Sequence, residues 1–166
     1  MSEAAGRTLV MGIGNVLMKD EGVGCRIAEE LVARYEFPES CEVIDSGTMG
    51  MSMLHLFKEY EFILVVDAMD GTGHPPGTVV RLSPDDIAPN AVLHSLHDMR
   101  FIDVLEAAEM IGCRPDGECV GIQVEDMTPA DLTIGLTDPV EAAIDTAIDA
   151  VLTVLAERGI EVRERD

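Results

Sequence analysis

Side chains that can bind a metal ion or move a proton are concentrated in four short segments of this chain. Three segments are acidic and one supplies imidazoles; they are Asp20-Glu21, Asp45, Asp67 with Asp70, and His94-Ser95-Leu96-His97. Carboxylate oxygens and imidazole nitrogens together form a ligand set that suits nickel, zinc, manganese or iron. If the fold brings these segments together, the sequence predicts a metal site with mixed oxygen and nitrogen ligands.

Each of these residues also has an ordinary structural interpretation. Asp20 or Glu21 can simply cap the helix that follows, and without further context this explains them equally well. Asp67 is harder to explain in this way, because a carboxylate that ends an apolar strand is close to buried and needs a partner. The other two histidines, His55 beside an apolar helical stripe and His74 in a Pro-Gly loop, are expected at the surface.

Strand-like and helix-like patterns alternate along the chain and must position these segments. Strands are predicted at 8–13, 41–45, 62–67, 78–82 and 119–125, and helices at 22–35, 49–60, 98–111 and from 138 to 159. This alternation implies right-handed crossovers and a three-layer αβα sandwich with a twisted, mainly parallel central sheet. Functional groups in such folds lie beyond the carboxyl ends of the strands, where the three acidic segments fall.

The last helix has the clearest predicted boundaries. Asp138 is placed to cap it, Pro139 to take the first helical position, Glu141 to complete a capping box and Gly159 to end it.

Composition favours a globular domain of acidic character. The 166 residues are 47% hydrophobic, and 32 acidic against 11 basic side chains give a net charge of -21. We expect a single domain over residues 1–166. A chain this acidic should repel nucleic acid and anionic membranes. With no signal-peptide pattern, no membrane-spanning run and four cysteines without CxxC spacing, we expect a cytoplasmic protein with buried free thiols.

Two motifs suggest functions that the surrounding residues do not support. The run Gly12-Ile13-Gly14-Asn15 begins like a dinucleotide fingerprint, but the sixth position is Leu17 and carboxylates follow where pyrophosphate would need amides. Asp45-Ser46-Gly47-Thr48 has the letters of an aspartic-protease site, whose chemistry needs two such aspartates sharing a proton. Only one copy occurs, although a homodimer could supply the second. We therefore expect no organic cofactor.

Five short blocks occur in order along the chain: Gly12-Ile13-Gly14-Asn15 followed by Asp20-Glu21-Gly22-Val23-Gly24, then Asp45-Ser46-Gly47-Thr48 with Gly50, Val65-Val66-Asp67-Ala68, His97 with Asp103-Val104-Leu105, and Ile134-Gly135-Leu136-Thr137. Together these blocks resemble the [NiFe]-hydrogenase maturation endopeptidases. The similarity runs from about residue 8 to residue 158, which is nearly the whole chain.

The resemblance implies both an activity and a site. These enzymes cut a short C-terminal extension from the hydrogenase large-subunit precursor after its nickel has been inserted. Carried over position by position, the residues that contact the nickel and serve the reaction are Glu21, Asp67 and His97. His94 is the alternative imidazole, and the spacing from His97 to the following Asp-Val-Leu favours His97. The resemblance gives Asp45 a supporting role, the nickel is supplied by the precursor, and a monomer is expected.

Two alternatives remain open at this stage. A non-catalytic, nickel-dependent chaperone or checkpoint would bind the same precursor through the same three residues. A peptidase with another target, such as the germination proteases of spores, would keep the activity and change the substrate. The Asp-Glu-Gly-Val-Gly and Ile-Gly-Leu-Thr blocks favour the hydrogenase branch.

Overall fold

A five-stranded sheet forms the centre of the protein. The computed structural model describes residues 6–48, 50–83, 101–112 and 116–166. The sheet strands are β1 (Arg7–Ile13), β3 (Cys41–Gly47), β4 (Tyr60–Met69), β5 (Val79–Leu82) and β6 (Asp116–Gln123). Their order is β3-β1-β4-β6-β5, with parallel pairing throughout except for β5, which runs antiparallel to β6 at the edge. Two short strands, β2 (Tyr35–Glu36) and β7 (Arg163–Glu164), pair separately.

Helices cover both faces of this sheet. They are α1 (Val23–Arg34), α2 (Phe101–Met110), α3 (Asp138–Ala142) and α4 (Ile144–Glu157), together with 3-10 helices at Lys19–Gly22 and Gly50–Glu59. One core cluster joins a sheet face to α1 and α4, and the other joins the opposite face to Phe57 of the longer 3-10 helix and Ala108 of α2. The predicted three-layer α/β sandwich with a mainly parallel sheet is confirmed.

The unbroken apolar run in β4 follows from its central position. Leu64 and Val66 belong to the core cluster on one face, and Ile63 and Val65 to the cluster on the other. Because successive side chains of a strand point to opposite faces, a strand covered on both sides must be apolar at every position. This strand ends near Asp67, which gives that carboxylate its buried setting.

The predicted cap of the last helix is wrong. Asp138 is the first helical residue, and the capping position is taken by Thr137, whose backbone is extended (φ -67°, ψ 158°). The Thr137 hydroxyl binds Asp20 instead of capping the helix. The helix is also divided at Ala143 into α3 and α4.

The segment after β3 is a 3-10 helix and not an α-helix. Leu54 and Phe57 are spaced three residues apart, and both contact the same core cluster. A spacing of three matches the 3.0 residues per turn of a 3-10 helix, so these two side chains lie on the same side of it.

Three of the four cysteines lie within the described residues. Cys25, Cys41 and Cys119 are buried free thiols, as predicted, and Cys113 lies outside the described residues. Burial raises the pKa of Cys41 to about 12. Among the described residues, no helix is both long and apolar enough to cross a bilayer.

Candidate active site

Glu21 lies in the 3-10 helix that follows β1, and glycines allow this helix to sit tightly against the sheet. A β-carbon on Gly24 would collide with the carbonyl oxygens of Ile13 and Val66, so only glycine lets the start of α1 approach both β1 and β4. A β-carbon on Gly14 would likewise collide with the carbonyl oxygen of Glu21. The Glu21 side chain is only 2% exposed.

Asp67 lies near the carboxyl end of β4, where it pairs with Gly121 of β6 and is 3% exposed. It directly follows Val66, whose carbonyl oxygen faces Gly24. The 3-10 helix that contains Glu21 contacts β4. The structure therefore brings the elements that carry Glu21 and Asp67 together at one end of the sheet, with both carboxylates almost completely buried.

The third predicted residue, His97, and its alternative His94 lie outside the described residues. Within the described ranges, no three His, Cys, Asp or Glu side chains lie close enough together to hold a metal ion. His55 and His74 are exposed, as predicted.

Asp20 and Glu21 are adjacent in sequence but differ in their surroundings. The Asp20 carboxylate is fully buried and accepts hydrogen bonds from the backbone amides of Glu125 and Asp126, both at 2.9 Å. It also accepts from the amide of Thr137 at 2.7 Å and from the Thr137 hydroxyl at 2.8 Å. These donors hold the loop after β6 and the start of α3 against the 3-10 helix, so Asp20 is a structural anchor.

The Asp45 segment lies beside the same glycine-rich run. The Asp45 side chain is exposed and accepts from the Gly47 amide at 3.0 Å, and the Gly47 carbonyl accepts from the Gly14 amide at 3.0 Å. Ser46 is buried and donates its hydroxyl to the Gly12 carbonyl at 3.0 Å. That hydroxyl ties β3 to β1 and is not presented as a nucleophile.

Cys25 is equally unsuited to nucleophilic attack. Its thiol is buried and donates to the Gly14 carbonyl at 3.5 Å. Burial, followed by the neighbouring Asp45 carboxylate, raises the pKa of the Cys25 thiol well above its ordinary value. Because the thiolate is the reactive form, Cys25 stays inert at neutral pH.

Gln123 is a residue that the sequence patterns did not single out. Its buried side-chain amide donates to Asp70 at 3.1 Å and accepts from the Thr72 amide at 3.1 Å and from the Thr72 hydroxyl. The exposed Asp70 therefore helps to attach the loop after β4 to the end of β6. A lone glutamine at the end of an apolar strand is the available signal, but sequence spacing cannot identify a partner that lies 51 residues away along the chain.

This arrangement can be compared with known proteins. A family model described as hydrogenase maturation protease matches residues 25–154. The chain belongs to the hydrogenase maturation protease family. The resemblance to hydrogenase maturation endopeptidases is thereby confirmed, and because the chain belongs to this family it is a protease.

Individual relatives agree over almost the whole length. The chain is 36% identical to the hydrogenase 2 maturation protease of Escherichia coli strain K12, covering 96% of this chain and 97% of that protein. It is 38% identical to the hydrogenase expression/formation protein HupD of Bradyrhizobium diazoefficiens, covering 96% of this chain and 83% of that protein.

Solved structures show the same fold. The hydrogenase maturating endopeptidase HybD from Escherichia coli superposes with a TM-score of 0.83, at 36% identity and over 96% of this chain and 98% of that one. The [NiFe] hydrogenase maturation protease HybD from Thermococcus kodakarensis gives a TM-score of 0.70 at 27% identity, over 89% of this chain and 98% of that one. Membership in a family of endopeptidases favours an enzyme over the non-catalytic chaperone.

Proposed function

We propose that this protease removes a C-terminal extension from the precursor of a [NiFe]-hydrogenase large subunit after nickel has been inserted. The observation that carries the proposal is the burial of Glu21 and Asp67 on contacting elements at one end of the sheet, in a chain of this family. Carboxylate oxygens are suitable ligands for a divalent metal ion such as nickel. Two carboxylates at one end of the sheet would therefore offer oxygen ligands to the nickel carried by the substrate when the precursor docks.

In this proposal Glu21, Asp67 and His97 bind the precursor's nickel, with His94 as the alternative imidazole. Two carboxylate oxygens and one imidazole nitrogen suit nickel by donor type. Three protein ligands leave room for the ligands by which the precursor keeps its own metal. The contact would therefore test for nickel and at the same time place the peptide bond to be cut.

Cleavage itself is assigned to water. The hydroxyl of Ser46 and the thiol of Cys25 are both buried and hydrogen-bonded to backbone carbonyls, which argues against either as the nucleophile. Water adds to the carbonyl carbon, the carbon–nitrogen bond breaks, and the departing amine takes a proton as the new carboxylate forms. Polarisation of the carbonyl by the substrate's metal would assist the addition.

The experiment is to mix purified, nickel-loaded precursor with the wild type and with Glu21→Gln, Asp67→Asn and His97→Ala variants, and to follow the mass of the large subunit. We expect each variant to process at least about 10-fold more slowly than the wild type, as is typical when a metal contact is weakened. Glu39→Gln is the control, because Glu39 is an exposed glutamate in the loop before β3, at the other end of the sheet. Full-speed cleavage by all three variants would contradict the nickel-contact proposal, and binding without cutting by the wild type would favour the chaperone.

A further inference from the structure

Four large apolar side chains are exposed on two neighbouring loops close to Glu21. Leu132 is 72% exposed and Ile134 is 79% exposed, and Val16 and Leu17 are exposed on the loop after β1. We call these four residues the apolar rim. Exposed apolar surface that is gathered in one place, and not scattered singly, marks interaction sites.

Backbone hydrogen bonds hold the two loops of the rim together. Met18 and Thr133 form a parallel bridge. The Thr133 amide donates to the Leu17 carbonyl at 2.8 Å, and the Lys19 amide donates to the Thr133 carbonyl at 2.9 Å. The rim is therefore a single preformed surface. It also leads directly to the candidate site, because the Met18 carbonyl accepts from the Glu21 amide at 3.2 Å.

A cavity of about 310 Å³ opens into the apolar rim. It is lined by apolar groups and by three charged side chains, namely Val16, Lys19, Gly22, Arg26, Glu29, Ile134, Gly135 and Leu136. Its volume is at the lower end of the range for ligand sites in proteins. Lys19 and Gly22 flank Asp20 and Glu21 in sequence, so the cavity lies beside the 3-10 helix that carries the candidate site.

The fold does not require the rim to be apolar. Within the block Ile134-Gly135-Leu136-Thr137, Leu136 packs against the core cluster and Thr137 binds Asp20. Ile134 projects into solvent next to them. Two residues of this block thus have a structural role, and the exposed isoleucine is left for contact with another molecule.

Charge around the rim indicates what kind of molecule. The exposed acidic side chains nearby in the two loops and adjoining helices are Glu29, Glu125, Asp131, Asp138 and Glu141. The two cations of the cavity are already paired, Lys19 with Asp126 at 3.5 Å and Arg26 with Glu141 at 2.9 Å. In a chain of net charge -21, an apolar surface with acidic surroundings favours a basic partner.

We propose that the apolar rim is the docking surface for the substrate protein, and that it receives a precursor segment whose apolar side chain is flanked by lysine or arginine. This inference rests on the proposed function and adds a second contact to it. The nickel contact would report that the metal is present, whereas the rim would provide affinity for the protein that carries it.

The test compares a double variant, Leu132→Ser with Ile134→Ser, with the wild type in precursor processing. Met110→Ser is the matched control, because Met110 is 87% exposed but ends α2 on the opposite face of the sheet. We expect KM to rise about tenfold in the double variant while kcat stays within about twofold, since the lost contacts bind substrate and transition state equally. Met110→Ser should leave both constants unchanged, and an unchanged KM in the double variant would overturn the proposal.

A binding measurement keeps this test separate from the proposed function. The double variant should bind immobilised, nickel-loaded precursor more weakly than the wild type, even under conditions where no cutting occurs.

The acidic surroundings are tested by Glu125→Gln with Asp131→Asn, which should lower the association rate and its dependence on salt. If the wild type binds the precursor through the rim but never cuts it, the proposed function is overturned and the docking proposal is supported. If the wild type cuts the precursor and the double variant binds and cuts it equally well, only the docking proposal is overturned.

The same surface could instead join two copies of this chain. Sedimentation velocity distinguishes this outcome. A wild type that dimerises and a double variant that is monomeric would overturn the proposal, and a monomer in both cases would support it.

Discussion

At the scale of single residues, the most informative contrast is between Asp20 and Glu21. Both are buried acids in one short 3-10 helix. Asp20 accepts hydrogen bonds from three backbone amides and one hydroxyl, which is how a carboxylate stabilises a fold. Glu21 lies against the glycine-rich run, on the element that contacts β4. We assign stability to the first residue and substrate contact to the second.

Replacing Asp20 by Asn tests this assignment. The variant loses charge-assisted acceptors and turns an amide group toward backbone donors, so we expect the free energy of unfolding to fall by about 2 kcal/mol. Urea unfolding measures this change, with Asp131→Asn as an exposed control. The protein that remains folded should still process precursor, whereas the folded Glu21→Gln variant should lose processing. Equal effects of the two substitutions on both properties would refute the division of roles.

The sequence identified both acids as candidates but left their roles open. Asp20 is anchored by Thr137, which is 117 residues away along the chain. No local pattern predicts such a pairing, and for the same reason Asp138 was assigned the cap of α3. Asp67 was recognisable because an acid that ends an unbroken apolar run has few ordinary explanations.

At the scale of elements, the position of Glu21 depends on how closely α1 approaches the sheet. Gly24 contacts the ends of both β1 and β4, and Gly12 packs against Gly24 in turn. The alternation of elements and the burial of β4 were predictable, because periodicity reports which faces are covered. The 3-10 helix after β3 was not predictable as such, because an apolar spacing of three or four residues fits either helix type.

A Gly24→Ala substitution should therefore affect stability and processing together. The added methyl group meets backbone carbonyls that cannot rotate away, so α1 must shift, and overpacking of this kind costs about 1–3 kcal/mol. The midpoint temperature of thermal unfolding and the rate of precursor processing should both decline. Ala33→Ser, an exposed change in the same helix, is the control. A variant with normal stability and normal processing would show that the close approach is not needed.

At the scale of the whole molecule, the candidate site and a stabilising polar cluster lie at opposite ends of the sheet. The candidate site and the apolar rim lie at the carboxyl ends of the strands. At the amino ends, Arg7, Glu42 and Tyr60 join β1, β3 and β4. Tyr60 donates to Glu42 at 2.6 Å, and Arg7 pairs with Glu42 and lies 5.1 Å from the Tyr60 ring centroid. This cluster can stabilise the fold at a distance from the candidate site.

The amino-end cluster predicts a specific loss of stability at alkaline pH. Burial, followed by the hydrogen bond to Glu42, raises the pKa of Tyr60 from 10.0 to about 12. A folded-state pKa above the unfolded value stabilises the protein below pH 10, and this contribution disappears as the pH rises from 10 to 12. Tyr60→Phe should be about 1 kcal/mol less stable at pH 8 and should approach the wild type by pH 12. Urea unfolding of the wild type and of Tyr60→Phe between pH 8 and pH 12 measures this difference in stability. Stability curves of the two proteins that stay parallel across this range would contradict the role assigned to Tyr60.

The central claim, that this protein reads the nickel of another protein before cutting it, is tested most directly by the mass of the large subunit. Nickel-loaded and nickel-free precursor would each be mixed with the wild-type protein under identical conditions. The account predicts that a C-terminal fragment is lost only from the nickel-loaded form. Equal removal of the fragment from both forms, or from neither, would contradict it.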